Sequence, residues 1–519
     1  MEHALTLKEN EEIMDILNQA AETLGGVERI GNLQTLKLYG YAQYAYMWGG
    51  GNITASPEAP QKLIAANDLQ RVWDFEQDGF QMKERRNMLF PFAAKFGHAY
   101  FPLNQILDGT IAYNRLPDGK AIRVGEFSQD PITVDGRRIR KLWSLTNPVP
   151  MLNAILNNKV QVSNLRTENE LDLIDVTVDE NVSLILALSH DTKVPQYIQW
   201  YTAQTNLGEI KFTTSFTGYM PFDGIELPMG FNTKIDFRET VYLKMYVDGY
   251  KIDEKVEGLK APSEVAETPV PQPLKPNLEL QKIAEGVWHI AGVGGTTVIE
   301  FEDHLAVFEL YWSQEEAVAI LEKANQLVPN KKVTKLIISH YHFDHTGGFR
   351  AAVAAGLQIY SNRGNEAVLR EMAERPTPHV KDVIGPDTNR KFDFVPVDTH
   401  LQLSDSKTTV DLYRVVSNNH MADALFAYIP EKKIFMDSDI ATAAYDWQLW
   451  PDSYMDNIAH YDIEVETVTT VHEKVKTHQE ILEYIEGGLQ RVLQRESDHR
   501  SKNDYHPGYP IFKTRSEDK

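Results

Sequence analysis

Apolar residues first recur at helical spacing at Ile13, Ile16, Leu17, Ala20 and Leu24, and the run ends at Gly25-Gly26. That spacing lines one face of an α-helix, and the glycine pair supplies its stop. The pattern then shortens. The stretches 35–46, 171–178, 196–202, 210–216 and 241–247 are rich in β-branched and aromatic residues and are separated by Gly, Asp and Asn. They predict strands, so the first half reads as a mainly antiparallel sheet with few helices. After residue 280 the rhythm alternates. Strands are predicted at 287–290, 296–301 and 305–310, followed by a capping box from Ser313 to Glu316 that opens a helix through Leu327. Another strand at 333–338 precedes a loop, and Gly347-Gly348 leads into a short helix from Phe349.

Residues 261 to 276 contain five prolines, which favours an extended, semi-rigid connector over a packed element. The main boundary is placed there. Residues 1–260 form a β-rich accessory domain, 261–279 a Pro-rich linker, 280–495 a second domain and 496–519 a polar tail expected to be disordered. A Pro-rich surface loop within one domain is the alternative. Together these elements predict an α+β chain of two domains.

Composition narrows the function. With 519 residues the chain can bury real cores without staples. The 52 Lys and Arg against 74 Asp and Glu leave a net charge of −22, a field that repels polyanions, so nucleic acid is not expected as a partner. The absence of cysteine removes disulfides, thiolate ligands and a Cys nucleophile. No apolar run is long enough for a membrane helix, and the start lacks a signal-peptide pattern. A soluble chain is expected, with its compartment open: an exported protein whose signal had been removed would read the same way.

The most informative residues are Ser339-His340-Tyr341-His342-Phe343-Asp344-His345-Thr346-Gly347-Gly348, at the carboxyl end of a predicted buried strand. Three imidazoles and a carboxylate within six residues have the density of a metal site, suited to zinc, iron or manganese. This His-x-His-x-Asp-His pattern resembles the signature of the metallo-β-lactamase superfamily, over residues 280 to 490. The resemblance implies an αββα sandwich with one or two metals at the edge of its sheets.

It also implies further ligands. His420 fits the third histidine of the first metal, in a loop between two predicted strands. Asp439 fits the bridging carboxylate, with Asp437 as the alternative. His472 fits the last histidine before a helix predicted over 479–493, with His460 and His478 as competitors, although the usual Gly-His-Gly context is absent. His340, His342 and His420 would then hold one metal, Asp344, His345 and His472 the other, and Asp439 would bridge. Glu309 stands where the family usually has Asp, either orienting the histidine loop or ending a strand in solvent.

Two divalent ions, zinc first and iron or manganese as alternatives, would keep about one net positive charge after two carboxylates and a bridging hydroxide. The expected activity is hydrolysis of an ester, lactone, amide or related acyl bond in a small, partly apolar substrate. The bridging hydroxide would be the nucleophile, and Asp344 and Asp439 the catalytic carboxylates. The segment from Tyr445 to Pro451 could form an aromatic pocket wall. Oxygen-activating di-iron relatives give an alternative chemistry on the same fold. A second alternative is ligand carriage by the first domain, in which Leu24-Gly25-Gly26 and the stretch from Tyr219 to Pro228 resemble LolA-like lipoprotein-carrier sheets over residues 10 to 250. Homo-oligomerisation is left open.

Overall fold

A computed structural model describes residues 7–45, 47, 51–87, 100–125, 136–180, 182–272, 275–385, 392–418, 420–437, 439–441, 451–472, 474–487 and 494. The stretch 445–450, most of the expected aromatic wall, and the 496–519 tail lie outside these residues. The first helix, Leu7–Leu24, turns Ile13, Leu17, Ala20 and Leu24 into the core, as its spacing requires.

The first half of the chain builds a 13-stranded sheet. Its centre is Thr35–Ala45, which pairs antiparallel with Leu63–Asp74 on one side and with Val241–Ile252 on the other. One wing continues through Gly79–Asn87 and Tyr100–Asp108. The other steps back through Ile225–Ile235, Gly208–Phe222, Pro195–Gln204, Val182–Ser189, Leu171–Asp179 and Gln161–Glu168. Alternation of burial along Gly208–Phe222 marks one face packed and one in solvent.

Two helices on this sheet depart from the sequence expectation. Arg137–Ser144 and Pro148–Leu156 were not foreseen, because the second is apolar all round and holds two prolines. Its first proline is at N1, where no backbone N–H is needed, and Asn147 caps it by accepting the Val149 N–H at 3.1 Å.

The Pro-rich segment is strapped to the sheet rather than free. It contains the one-turn helix Ser263–Ala266, and Val265 packs with Val72, Ile106, Tyr113 and Leu259. Ala261 N donates to Asp108 at 2.8 Å, and Arg123 donates to the Ala266 carbonyl at 2.8 Å.

The second half forms two sheets. In the seven-stranded sheet, Leu305–Phe308, Val333–Ile337, Gln358–Asn362 and Phe394–Val397 run parallel at one side. The six-stranded sheet is built on Thr409–Arg414, Leu425–Ile429, Ile434–Met436 and Thr467–Thr469. Val287, Ile299, Phe308 and Ile337 of the first sheet share a core with Leu412, Ala427, Ile434 and Met436 of the second. Helices Gln314–Ala324, Phe349–Ala354 and Glu366–Glu374 contribute to the core on the outer face of the first sheet. Pro451–Tyr461 packs on the second. The order of layers is helix, sheet, sheet, helix, the mixed α+β arrangement expected for this half.

The capping box is half realised. Ser313 accepts the Glu316 N–H at 3.2 Å, but Glu316 turns its carboxylate to the Val293 N–H at 2.7 Å, so it ties down the glycine-rich turn at 292–295.

The two halves share one hydrophobic core. Across their junction Arg238 forms a bidentate pair with Glu371, both bonds 2.8 Å, and Glu209 accepts the backbone N–H groups of His379 and Val380. Among the described residues, no helix is long and apolar enough to cross a membrane.

Candidate metal centre

The strand Val333–Ile337 is buried at its carboxyl end and delivers the chain to Ser339. From there the loop is held on every side. Ser339 N donates to Glu309 Oε1 at 2.7 Å, Leu425 N to Ser339 O at 2.8 Å, and Thr346 N to His342 O at 3.0 Å. Trp312 N donates to Asp344 O at 2.7 Å and Gly348 N to Leu310 O at 3.0 Å, so the segment 309–312 wraps the histidine loop. That wrap strains its own backbone, with Glu309 at φ 68° and Trp312 at φ 71°. A Cβ on Gly347 would lie 2.1 Å from the Trp312 carbonyl oxygen, so only glycine allows the approach.

The other three residues arrive from the second sheet. His420 lies between Thr409–Arg414 and Leu425–Ile429, in a turn where Asn418 Oδ1 accepts the His420 and Met421 N–H groups. Asp439 follows Ile434–Met436. Asp437, its competitor, faces away and accepts the N–H groups of Ile440 and Ala441, with burial pushing its carboxyl up to about 7. His472 follows Thr467–Thr469, and Gly295 N anchors its turn by donating to Val471 O at 2.7 Å. A side chain on Gly295 would place Cβ 2.3 Å from Thr470 O.

All seven residues singled out from the sequence meet in one pit. They form two groups, His340, His342, His420 and Asp439, and Asp344, His345 and His472; within each, the ligand atoms lie within 4.8 Å of one another. Asp439 stands between the groups, with Oδ2 2.7 Å from His420 Nε2 and Oδ1 2.7 Å from His472 Nε2. His472 Nε2 is 3.3 Å from His345 Nε2. His460 and His478 are not in either group; His478 Nδ1 bonds the Tyr454 hydroxyl at 2.8 Å.

The donor chemistry fits cations. Burial first, and then the neighbouring imidazoles, hold His340 and His342 well below the usual histidine range, so both keep a lone pair to donate. His340 Nδ1 meets the Ser339 hydroxyl at 2.8 Å, while its buried Nε2 has no hydrogen-bond partner. Such an orphaned atom is costly unless something binds it. His345 behaves oppositely. Burial would lower it, but Asp344, Asp439 and Glu309 raise it well above the ordinary value. These carboxylates demand positive charge, which a proton on His345 or a cation among the ligands can satisfy.

Three residues near the pit were not found from the sequence. Tyr311 donates to Asp344 Oδ2 at 3.3 Å and sets its ring edge-on to His345 and His472. Asn206, from the first half, donates to Thr346 Oγ1 at 2.9 Å and to the Phe343 carbonyl, pinning the histidine loop. The charge of Lys62, also from the first half, bears on His342. Tyr311 had a legible signal two positions after Glu309; Asn206 and Lys62 had none, being more than 130 residues away.

Glu309 is fully buried, and its Oε2 lies 3.3 Å from His345 Nδ1, so it orients the histidine loop and is no solvated strand end.

Comparison with known proteins follows the same lines. The Metallo-beta-lactamase superfamily pattern matches residues 291–356. A linear primary-alkylsulfatase of Pseudomonas sp. is 30% identical over 93 residues, a stretch covering 16% of this chain and 14% of that protein. Similar solved structures include a metallo-beta-lactamase from Pontibacter korlensis, 16% identical with a TM-score of 0.32, covering 42% of this chain and 99% of its own. The metallo-beta-lactamase DIM-1 is 14% identical with a TM-score of 0.33, at the same coverage. The LolA-like resemblance of the first half rests on none of these matches. The match to the Metallo-beta-lactamase superfamily is thus confined to residues 291–356, a stretch that contains the histidine loop.

Proposed function

We propose that this chain is a dinuclear metal-dependent hydrolase. His340, His342 and His420 would hold one divalent cation, Asp344, His345 and His472 a second, with Asp439 shared; zinc suits this nitrogen-rich set best, ahead of iron and manganese. When bound, such ions supply Lewis acidity toward the scissile group and hydroxide at neutral pH. The observation that carries the reading is the convergence of seven donor groups in two adjoining clusters, one of which holds the orphaned His340 Nε2.

The chain's own groups supply the rest. Asp439, between the two clusters, fixes their separation. Asp344 receives the proton given up during attack, and the Tyr311 hydroxyl bonded to its Oδ2 keeps that carboxylate in one orientation. Ser339 and Glu309 fix the ring orientations of His340 and His345 from behind. The substrate is a small molecule with an ester, lactone, amide or related acyl bond.

A sulfate ester is the second reading. It is favoured by the alkylsulfatase relative, and by the positive charge of Lys62, whose field reaches His342 and would attract an anionic ester.

The test is metal analysis of the full chain with a panel of acyl ester, lactone, thioester, β-lactam and primary alkyl sulfate substrates after loading with zinc, manganese or iron. About two metal equivalents and turnover of one class are expected, with His342→Ala losing both. Undiminished turnover in His342→Ala would remove the assigned site from catalysis, and oxygen consumption by the iron form would redirect the chemistry to oxidation.

A further inference from the structure

Away from the metal pit, the helix-covered face of the first sheet encloses a small cavity lined by Arg71, Trp143, Thr146 and Asn147, with apolar walls from residues that include Phe231 and Leu243. It has room for about one water-sized guest. Its polar lining is made of donors. Trp143 Nε1 and Asn147 Nδ2 are buried and have no hydrogen-bond partner. The orientation of the Asn147 amide is set, because its Oδ1 accepts the Val149 N–H as a helix cap, so its NH2 must face elsewhere. Trp143 and Arg71 can only donate. The one side-chain hydroxyl present, on Thr146, spends its proton on the Trp143 carbonyl at 2.8 Å.

The charge around the cavity is also unbalanced. Arg71 and Arg86 both bond Glu84 at 2.6 Å, and all three are buried with Tyr44. Among the described residues, two guanidinium groups against one carboxylate leave a net positive charge inside the sheet. The nine-residue helix Pro148–Leu156 adds to it, since Asn147 on the cavity wall is its cap and its positive end starts there. A water would have to place two protons where the side chains offer a single hydroxyl acceptor. An anion has no such need.

We propose that this cavity binds a single monatomic anion, chloride or bromide, held by Arg71, Trp143 and Asn147. The anion completes the charge balance of the buried Arg71, Glu84 and Arg86 cluster and ties the turn between the two helices to the sheet. The site is independent of the metal chemistry.

The experiment uses the full chain at fixed pH and ionic strength, comparing sodium chloride and bromide with gluconate, which is too bulky to enter. A saturable rise in the unfolding midpoint is expected with chloride and bromide but not with gluconate. Crystals grown in bromide should show an anomalous peak in the cavity. Trp143→Phe removes one donor and should weaken the anion affinity about tenfold. Asn147→Asp keeps the cap but turns a carboxylate oxygen toward the cavity, and should abolish the anion dependence. Equal midpoints in bromide and gluconate, or a cavity holding water in the bromide crystal, would overturn the proposal. If Asn147→Asp fails to fold, the wild-type and Trp143→Phe titrations still decide it.

Discussion

Glu309 performs two tasks with one carboxylate, receiving the Ser339 N–H through Oε1 and facing His345 Nδ1 through Oε2. In Glu309→Gln the first contact survives, but an NH2 group meets His345 and forces the ring toward the wrong tautomer. Metal affinity should fall by about ten- to a hundredfold with the fold intact, measured by chelator competition; unchanged affinity would reduce Glu309 to a packing role. Tyr311 belongs to the same scale. Tyr311→Phe keeps the ring edges against His345 and His472 and removes the bond to Asp344, so kcat should drop while KM holds. A rise in KM alone would place the hydroxyl in substrate binding instead. His340, His342, Asp344 and His345 were legible because they sit within six residues of one another. The buried role of Glu309 was not, since a carboxylate at a strand end looks the same in sequence whether it meets solvent or a histidine.

At the scale of elements, the turn 292–295 and the strand ending at Thr469 set the position of His472. Gly295→Ala would drive Cβ against Thr470 O and the His289 ring. The turn must move, and the expected result is loss of metal from the Asp344, His345 and His472 group with the other group retained, read as about one equivalent instead of two. Two equivalents in Gly295→Ala would show that the turn can give.

The strands Leu63–Asp74 and Gly79–Asn87 carry a second device. Burial alone would raise Glu84, but Arg71 and Arg86 hold it down at about 2. A carboxylate lowered by folding stabilises the native state above its unfolded value near 4.5 and loses that contribution as pH falls toward 2. The contribution is about 3 kcal/mol. Acid unfolding followed by circular dichroism should therefore steepen between pH 4.5 and 2, and Glu84→Gln should flatten that step while costing about 3–5 kcal/mol at pH 7 by leaving both guanidinium groups without a counter-charge.

For the whole molecule, the first half acts as a brace for the pit of histidine and aspartate side chains. Asn206 holds the histidine loop, Gln314 Nε2 donates to Thr205 O at 2.9 Å, and Arg375 bonds the Glu209 carbonyl at 2.8 Å. The apolar core runs through both halves. Calorimetry of the full chain should accordingly show one cooperative transition; two separated transitions would mean the halves are energetically independent. Asn206→Ala should cost about 1–3 kcal/mol by leaving loop acceptors buried and unpaired, and should lower metal affinity although it touches no ligand.

Local pattern was enough to determine the first helix, some of the strands of each half and the histidine loop, because each is written in contiguous residues whose periodicity or density has one physical reading; strands such as Leu63–Asp74, Gly79–Asn87 and Ile225–Ile235 were not read from it. The apolar helix Pro148–Leu156 escaped it, since an element buried on all sides has no polar face to mark its period. His420, Asp439 and His472 were placed from the sequence through a family resemblance. Only the tertiary structure brings them beside His340 and His345, by packing two sheets so that the ends of separate strands meet at one edge. Glu316 on the glycine turn, Asn206 on the histidine loop and the donor-lined cavity at Asn147 were likewise decided by folding, because each depends on which distant backbone group a side chain meets, and no spacing along the chain records that.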